Sequence, residues 1–163
     1  MKVIKFYLLL TSLTLSNIAS TEVDPLEDIN LQIHNLNQTL DLQLASPVAR
    51  FYKKITPDFL EKSITNFTHN IEDLSIAINN LLQGKVNDGI SDILRFAINT
   101  SLGIGGFIDV ASNLGFTKHD EDFGQTLAVW GVPNGPYLVL PGIGPSTMRD
   151  TLAMIPDSFL SKP

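Results

Sequence analysis

DFLEKSITNFTHNIEDLSIAINNLLQG, residues 58–84, decides the fold. Thr56 or Asp58 can cap a helix running through Phe59, Leu60, Ile64 and Phe67, the three- and four-residue spacing of one helical face. Ile71 to Leu82 predicts a further helix, and Gly84 stands where a glycine commonly ends one. Asp73, Ser75, Asn79 and Asn80 lie among the apolar residues of that second segment, and ordinary core packing is its default reading.

The same period extends on both sides. Upstream, Asp24-Pro25 reads as a helix start, followed by Ile29, Ile33, Leu36, Leu40 and Leu44 at helical spacing. Pro47 permits a new helix, PVARFYKKI, which must end before Pro57. Downstream, Ile90 to Ile98 predicts a helix ending at Asn99-Thr100-Ser101, and Gly103 to Gly106 (GIGG) predicts a turn. A short helix from Phe107 to Leu114 then ends at Gly115. The texture changes after Phe116. Residues 117–122 are polar, and Gly131, Gly135, Gly142 and Gly144 are interspersed with Pro133, Pro136, Pro141 and Pro145. No helix is expected through that punctuation, and Tyr137 to Leu140 is the one short extended apolar stretch. The fold class expected is all-α, built of short amphipathic helices with a Gly/Pro-rich loop near the C-terminus.

Composition narrows the function. Of 163 residues only 17% are charged, below the roughly 25% of an ordinary soluble domain. So little polar surface points to membrane contact or a large partner interface. Formal net charge is −6, and setting aside Lys2 and Lys5 leaves a balance of −8. That argues against nucleic acid, whose binding rests on Lys and Arg neutralising phosphates, and makes any lipid contact mainly apolar. There is no cysteine, which removes thiol chemistry, disulfides and cysteine metal sites. Residues 1–20, MKVIKFYLLLTSLTLSNIAS, read as an export signal: two lysines, an apolar run from Phe6 to Leu15, then Ala19 and Ser20.

Catalytic signatures are scarce. There is no G-x-S-x-G elbow, H-E-x-x-H or phosphate-binding loop with its lysine, so no enzymatic activity and no cofactor are expected. His34, His69 and His119 are scattered, and His119-Asp120-Glu121-Asp122 reads as a solvated charged turn rather than a cation site. The glycines of GIGG and of Gly142-Ile143-Gly144 are better explained by backbone freedom or close packing. For the helix from Ile71 to Leu82, a face that touches acyl chains remains the alternative to core packing.

Six stretches in register carry a family resemblance: DPLEDIN (24–30), PVARFYKKITP (47–57), NFTHNI (66–71), NNLLQGK (79–85), RFAINTSLGIGGFIDVAS (95–112) and EDFGQTLAVWGVPNGPYLVLPGIGPSTMRD (121–150). The chain resembles the MlaA/VacJ family of phospholipid-transport lipoproteins, with residues 21–163 as its domain. The resemblance implies a curved helical disc in the periplasmic leaflet of the outer membrane, crossed by an amphipathic channel. Through it phospholipids leave the outer leaflet for a soluble periplasmic carrier, beside an outer-membrane porin. No bond is broken in that task.

The Gly/Pro-rich segment then becomes a channel-lining loop, since irregular backbone is tolerated at membrane depth only inside protein or beside a wet cavity. Asp109, Lys118, Asn134 and Arg149 are the candidate polar residues of the passage. Gly135, Gly142 and Gly144 would let its opening move, and Tyr137, like Trp130, could sit at the membrane interface or in the core. Two features depart from the family pattern. LSNIAS stands where a lipidated cysteine is usual, so attachment is expected from the apolar rim, an uncleaved signal helix or a partner. Members usually continue for several tens of residues past the Arg-Asp pair, here Arg149-Asp150, so part of the family domain reads as missing. The competing readings are an envelope interaction protein, or a secreted factor, without transport.

Overall fold

The computed structural model describes residues 25–160, so the expected signal segment, 1–20, and the capping role of Asp24 lie outside the described residues. Helix α1 spans Glu27–Leu40 and α2 spans Ser46–Ile55, joined without a break by a π-helical turn, Asp41–Ala45. The new helix expected at Pro47 is therefore a continuation. Pro47 falls in the first turn of α2, and the wider turn before it accommodates a residue with no N–H to give. Thr56 then turns extended, with φ −93° and ψ 120°, because Pro57 follows it.

The two segments expected between residues 59 and 82 are one helix, α3, Asp58–Leu82, of 25 residues. Nothing between Phe67 and Ile71 breaks a helix, so the expectation of short helices fails here. Gly84, at φ +80°, closes α3 as expected, with the Lys85 N–H donating to the Asn80 carbonyl at 2.8 Å. Helix α4, Val86–Ser101, begins a turn before the expected Ile90. It packs tightly along α3, since a Cβ on Gly89 would lie 2.8 Å from Leu81 Cγ.

Helix α5 is only Val110–Asn113, shorter than expected, because the Asp109 carboxylate fixes its start by accepting from the Ser112 N–H at 3.0 Å. The preceding GIGG turn is a close-packing device. Gly106 sits at φ +96°, and a Cβ there would fall 2.5 Å from the Asn70 amide. Helix α6, Phe123–Val129, was not anticipated; Asp122 caps it by accepting from the Gln125 N–H at 2.7 Å.

The extended stretch is strand β1, Tyr137–Leu140, and it pairs antiparallel with an unforeseen strand β2, Gly144–Thr147. The fold is thus helical, as expected, with one small hairpin inside the Gly/Pro-rich stretch. Helix α7, Met148–Leu160, follows directly and carries Pro156 within it. Its N-terminus is pinned to the loop by Met148 N–H to Pro136 O at 3.0 Å and Arg149 N–H to Asn134 O at 3.1 Å.

Burial is inverted relative to an ordinary domain. The fully buried apolar residues are few and mostly small: Ile76, Ala77, Ala111, Val139 and Ala153. The largest side chains under 2% exposed are Arg95, Asn79, Asn80, Thr126, Asp73 and Asp92. On α3 the polar set that lies among apolar residues, Asp73, Ser75, Asn79 and Asn80, faces the interior, while Leu74, Leu81 and Leu82 face out. On α1 the apolar stripe also turns outward, with Ile29, Leu36 and Leu40 exposed and Asn30 buried.

Candidate functional site

The interior is an ionic and amide network strung between α3 and α4. Arg95, on α4, lies 3.4 Å from the Asp73 carboxylate of α3 and 3.5 Å from Asp109, the cap of α5. Its guanidinium also donates to the Phe116 carbonyl at 2.8 Å and to Ser112 Oγ at 3.1 Å. Lys118 reaches the other Asp73 oxygen at 2.9 Å and the His69 carbonyl at 3.3 Å. Asn99 bridges the same region, donating to Asp109 at 3.1 Å and accepting from the Ala111 N–H at 2.8 Å. Farther along, Asp92 accepts from Asn80 at 2.9 Å and meets His119 Nδ1 at 2.9 Å.

Burial sets the proton affinities. Loss of water pushes the Asp73 carboxyl above its ordinary range, although the Lys118 hydrogen bond and the charges of Lys118 and Arg95 pull the other way. Asp109 also loses water, but hydrogen bonds from Ser112 and Asn99 and the charge of Arg95 outweigh that and hold it below the usual carboxylate range. Glu121 follows the same pattern, with Lys85 and Gln83 as its donors.

Beside this network a cleft of about 300 Å³ opens between α3, α7 and the turn before α6. Its walls include Glu72, Asp120, Glu121, Asp122, Asp150 and Asp157. Two cation pairs flank it: Lys118 lies 3.9 Å from Glu72, and Arg149 Nε donates to Asp150 at 2.9 Å. The volume stands at the lower edge of small-ligand sites, roughly 300–1,000 Å³.

The candidate residues fall into two groups. Asp109 and Lys118 belong to one network through Arg95 and Asp73. Asn134, Gly135, Tyr137, Gly142, Gly144 and Arg149 surround the hairpin. There Gly135, at φ +70°, leaves only 3.0 Å between a would-be Cβ and the Met148 side chain. Gly142 and Gly144 flank the tip at φ +75° and +110°. Tyr137 is exposed at the strand start, as is Trp130, whose indole N–H donates to the Leu82 carbonyl at 3.1 Å. Glu72, beside Lys118, and Asp150, beside Arg149, both line the cleft.

Sequence reasoning missed Asp73, Arg95 and Asn99, which join the helices, and Asn30 and Asn37, which hold the hairpin. Asn30 donates to the Tyr137 carbonyl at 3.1 Å and accepts from the Val139 N–H at 2.8 Å. Asn37 repeats the pattern one step along, on the Leu140 carbonyl at 2.9 Å and the Gly142 N–H at 2.7 Å. A seven-residue spacing of asparagines was the available signal, since it places both on one side of α1. His34 and His69 are exposed and His119 is held by Asp92, and among the described residues no cluster of potential metal ligands forms.

The family model described as MlaA lipoprotein matches residues 22–163. The chain belongs to the MlaA lipoprotein family. An Escherichia coli K12 relative, "Intermembrane phospholipid transport system lipoprotein MlaA", is 39% identical over 140 residues, covering 83% of this chain and 56% of the relative. An uncharacterised protein of Rickettsia typhi is also 39% identical, over 86% of this chain and 56% of its own length. The chain therefore spans about half the length of the curated relatives it matches. A solved chain from "Structural basis for maintenance of bacterial outer membrane lipid asymmetry" superposes with a TM-score of 0.76 at 36% identity, covering 85% of this chain and 71% of that one.

Proposed function

We propose that this chain serves intermembrane phospholipid transport, removing misplaced phospholipids from the outer leaflet and so maintaining outer-membrane lipid asymmetry. The carrying observation is the exchange of inside and outside. Large apolar side chains such as Phe51, Ile55, Phe59 and Ile155 are about 60% exposed, while Asp73, Asp92 and Arg95 are under 2% exposed. Water would penalise that coat; acyl chains would solvate it. No helix among the described residues is long and apolar enough to cross a membrane. The reading is therefore a body lying within one leaflet, on the periplasmic side, with its polar interior facing the lipid headgroup.

The charged cleft supports the second half of the reading. A phospholipid leaving a bilayer needs a polar surface for its headgroup while its tails stay in apolar surroundings. The Lys118–Glu72 and Arg149–Asp150 pairs offer charges of both signs to such a group at the rim of a cleft whose own charged lining is acidic. Handing lipid to a soluble periplasmic carrier, and seating against an outer-membrane porin, are the partnerships that fit this role; no chemical bond changes.

The test is a deletion strain lacking paralogues, scored for phospholipid in the outer leaflet. Accumulation, reversed by the wild-type gene but not by a Lys118→Glu, Arg149→Glu variant that still reaches the membrane, is the expected result. Unchanged surface phospholipid in the deletion overturns the transport reading.

A further inference from the structure

The cations of this acidic chain are not distributed evenly. Among the described residues, Lys85, Arg95, Lys118 and Arg149 are each committed to a carboxylate of the fold. Arg50, Lys53, Lys54 and Lys62 are exposed and make no such pair. Three of these four lie on α2, and residues 46–57 contain no acidic residue at all.

Their placement on the helix is ordered. At 100° per residue, Val48, Phe51, Tyr52 and Ile55 gather on one side of α2, and Arg50, Lys53 and Lys54 gather on the other. In an ordinary domain the apolar side would be packed. Here Val48 is 65% exposed, Phe51 64% and Ile55 60%, and no residue of α2 is buried. An exposed helix with aromatic and branched residues on one side, and on the other three cations and no acidic residue, fits the plane of a membrane surface. The lysine stems can run along the apolar boundary and set their ammonium groups at phosphate level.

We propose that α2 is a docking surface for anionic phospholipid, its apolar side seated among acyl chains and Arg50, Lys53 and Lys54 bound to headgroup phosphates. This rests on the membrane-embedded reading above and adds a preference to it: α2 favours net-negative over zwitterionic lipid. It also revises the expectation from net charge alone, because a chain at −6 overall carries a local surface of the opposite sign. An acidic protein partner would satisfy the cations, but would leave Val48, Phe51 and Ile55 needing an apolar partner of their own.

The experiment is flotation of the full chain with phosphatidylcholine vesicles and with vesicles containing 30% phosphatidylglycerol, beside the variant Arg50→Gln, Lys53→Gln, Lys54→Gln. Wild type should bind both, and the anionic vesicles more tightly. Each cation near such a surface contributes about fivefold, so three give on the order of a hundredfold at low salt. The gain should collapse at about 1 M salt, where screening reaches 3 Å. The variant should bind neutral vesicles like wild type and lose most of the gain, while Lys53→Arg, Lys54→Arg should keep it. Equal wild-type binding to the two vesicle types overturns the proposal and points to an acidic protein partner. Retention of the gain by the variant overturns it as well. Failure to bind neutral vesicles would instead overturn the membrane-embedded reading.

Discussion

Between α3 and α4 the contacts are ionic: Asp73, Arg95 and Lys118 meet in a space from which water is largely excluded. Between α1 and β1 they are neutral, with Asn30 and Asn37 each giving one hydrogen and accepting another from strand backbone. An ion pair out of water is stable only as a complete set, because either partner alone is a buried charge. An amide that matches a strand edge leaves no net charge when lost, only two unsatisfied backbone groups. The first seam should therefore be brittle towards substitution and towards pH, and the second should be weaker and indifferent to pH.

The largest effect should come from Arg95→Met. It takes the guanidinium from both Asp73 and Asp109, leaving Lys118 on one Asp73 oxygen and Ser112 and Asn99 on Asp109, and should cost about 3 kcal/mol, read from denaturant unfolding in micelles. Adding Asp73→Asn should recover part of that loss. A loss below about 1 kcal/mol in the single variant would show that the ionic seam is not what joins the helices. Next comes Asn30→Ala on the neutral seam, expected to cost about 1–3 kcal/mol, with Asn37→Ala smaller because its site is half-exposed. If Asn37→Ala proved the costlier, burial would not be what sets the strength of this seam.

Gly142→Ala should cost about 1 kcal/mol, since φ +75° disfavours a side chain while the space around it is open. The smallest effect is on pH dependence. Asp109 and Glu121 are held low, so their contribution is present above the ordinary carboxylate range and disappears as pH falls through their lowered values. Asp73 is raised, so it destabilises at neutral pH and that penalty lifts as pH falls through its own value. Asp109→Asn should flatten the acid-side loss of stability, whereas Asp73→Asn should remove a gain, and unfolding midpoints between pH 3 and 7 would separate them. Asn30→Ala should leave the shape of that profile unchanged.

The positions of most helices were legible because their spacing and their terminators are local. Gly84 and Pro57 ended helices where expected, for reasons contained in one or two residues. Legibility failed where a signal was absent or ambiguous. Nothing marked a break between Phe67 and Ile71, and a segment divided on paper is continuous. Helix α6 is seven residues long and depends on one Asp122 cap, and β2, with Gly144 and Pro145 in it, takes its form from pairing with β1. Helix α7 holds Pro156, which argues against a helix on local grounds.

The candidate site was legible by residue type and illegible by partnership. Asp109 and Lys118 were expected as polar groups of a passage, and the structure places both in the buried network around Arg95 and Asp73. That Arg95 and Asp73 would join them depends on two helices meeting, which spacing along one chain does not reveal. The larger misreading concerned the sides of the helices. Core packing was the default for the apolar residues between Ile71 and Leu82, yet Leu74, Leu81 and Leu82 face out, because an apolar stripe has the same period whichever way it faces.

The two asparagines on α1 also have a geometric consequence. Seven residues of helix advance about 10.5 Å, and three residues of strand advance about 10 Å, so helix and strand keep common measure along that edge. Inserting or deleting one residue between Asn30 and Asn37 would swing the second amide by about 100° and bring it out of step with Leu140 and Gly142. The identities of residues 31–36 are loosely constrained by this seam, but their number is not. The hairpin tolerates substitution there, but the stretch cannot be lengthened or shortened without letting go of it.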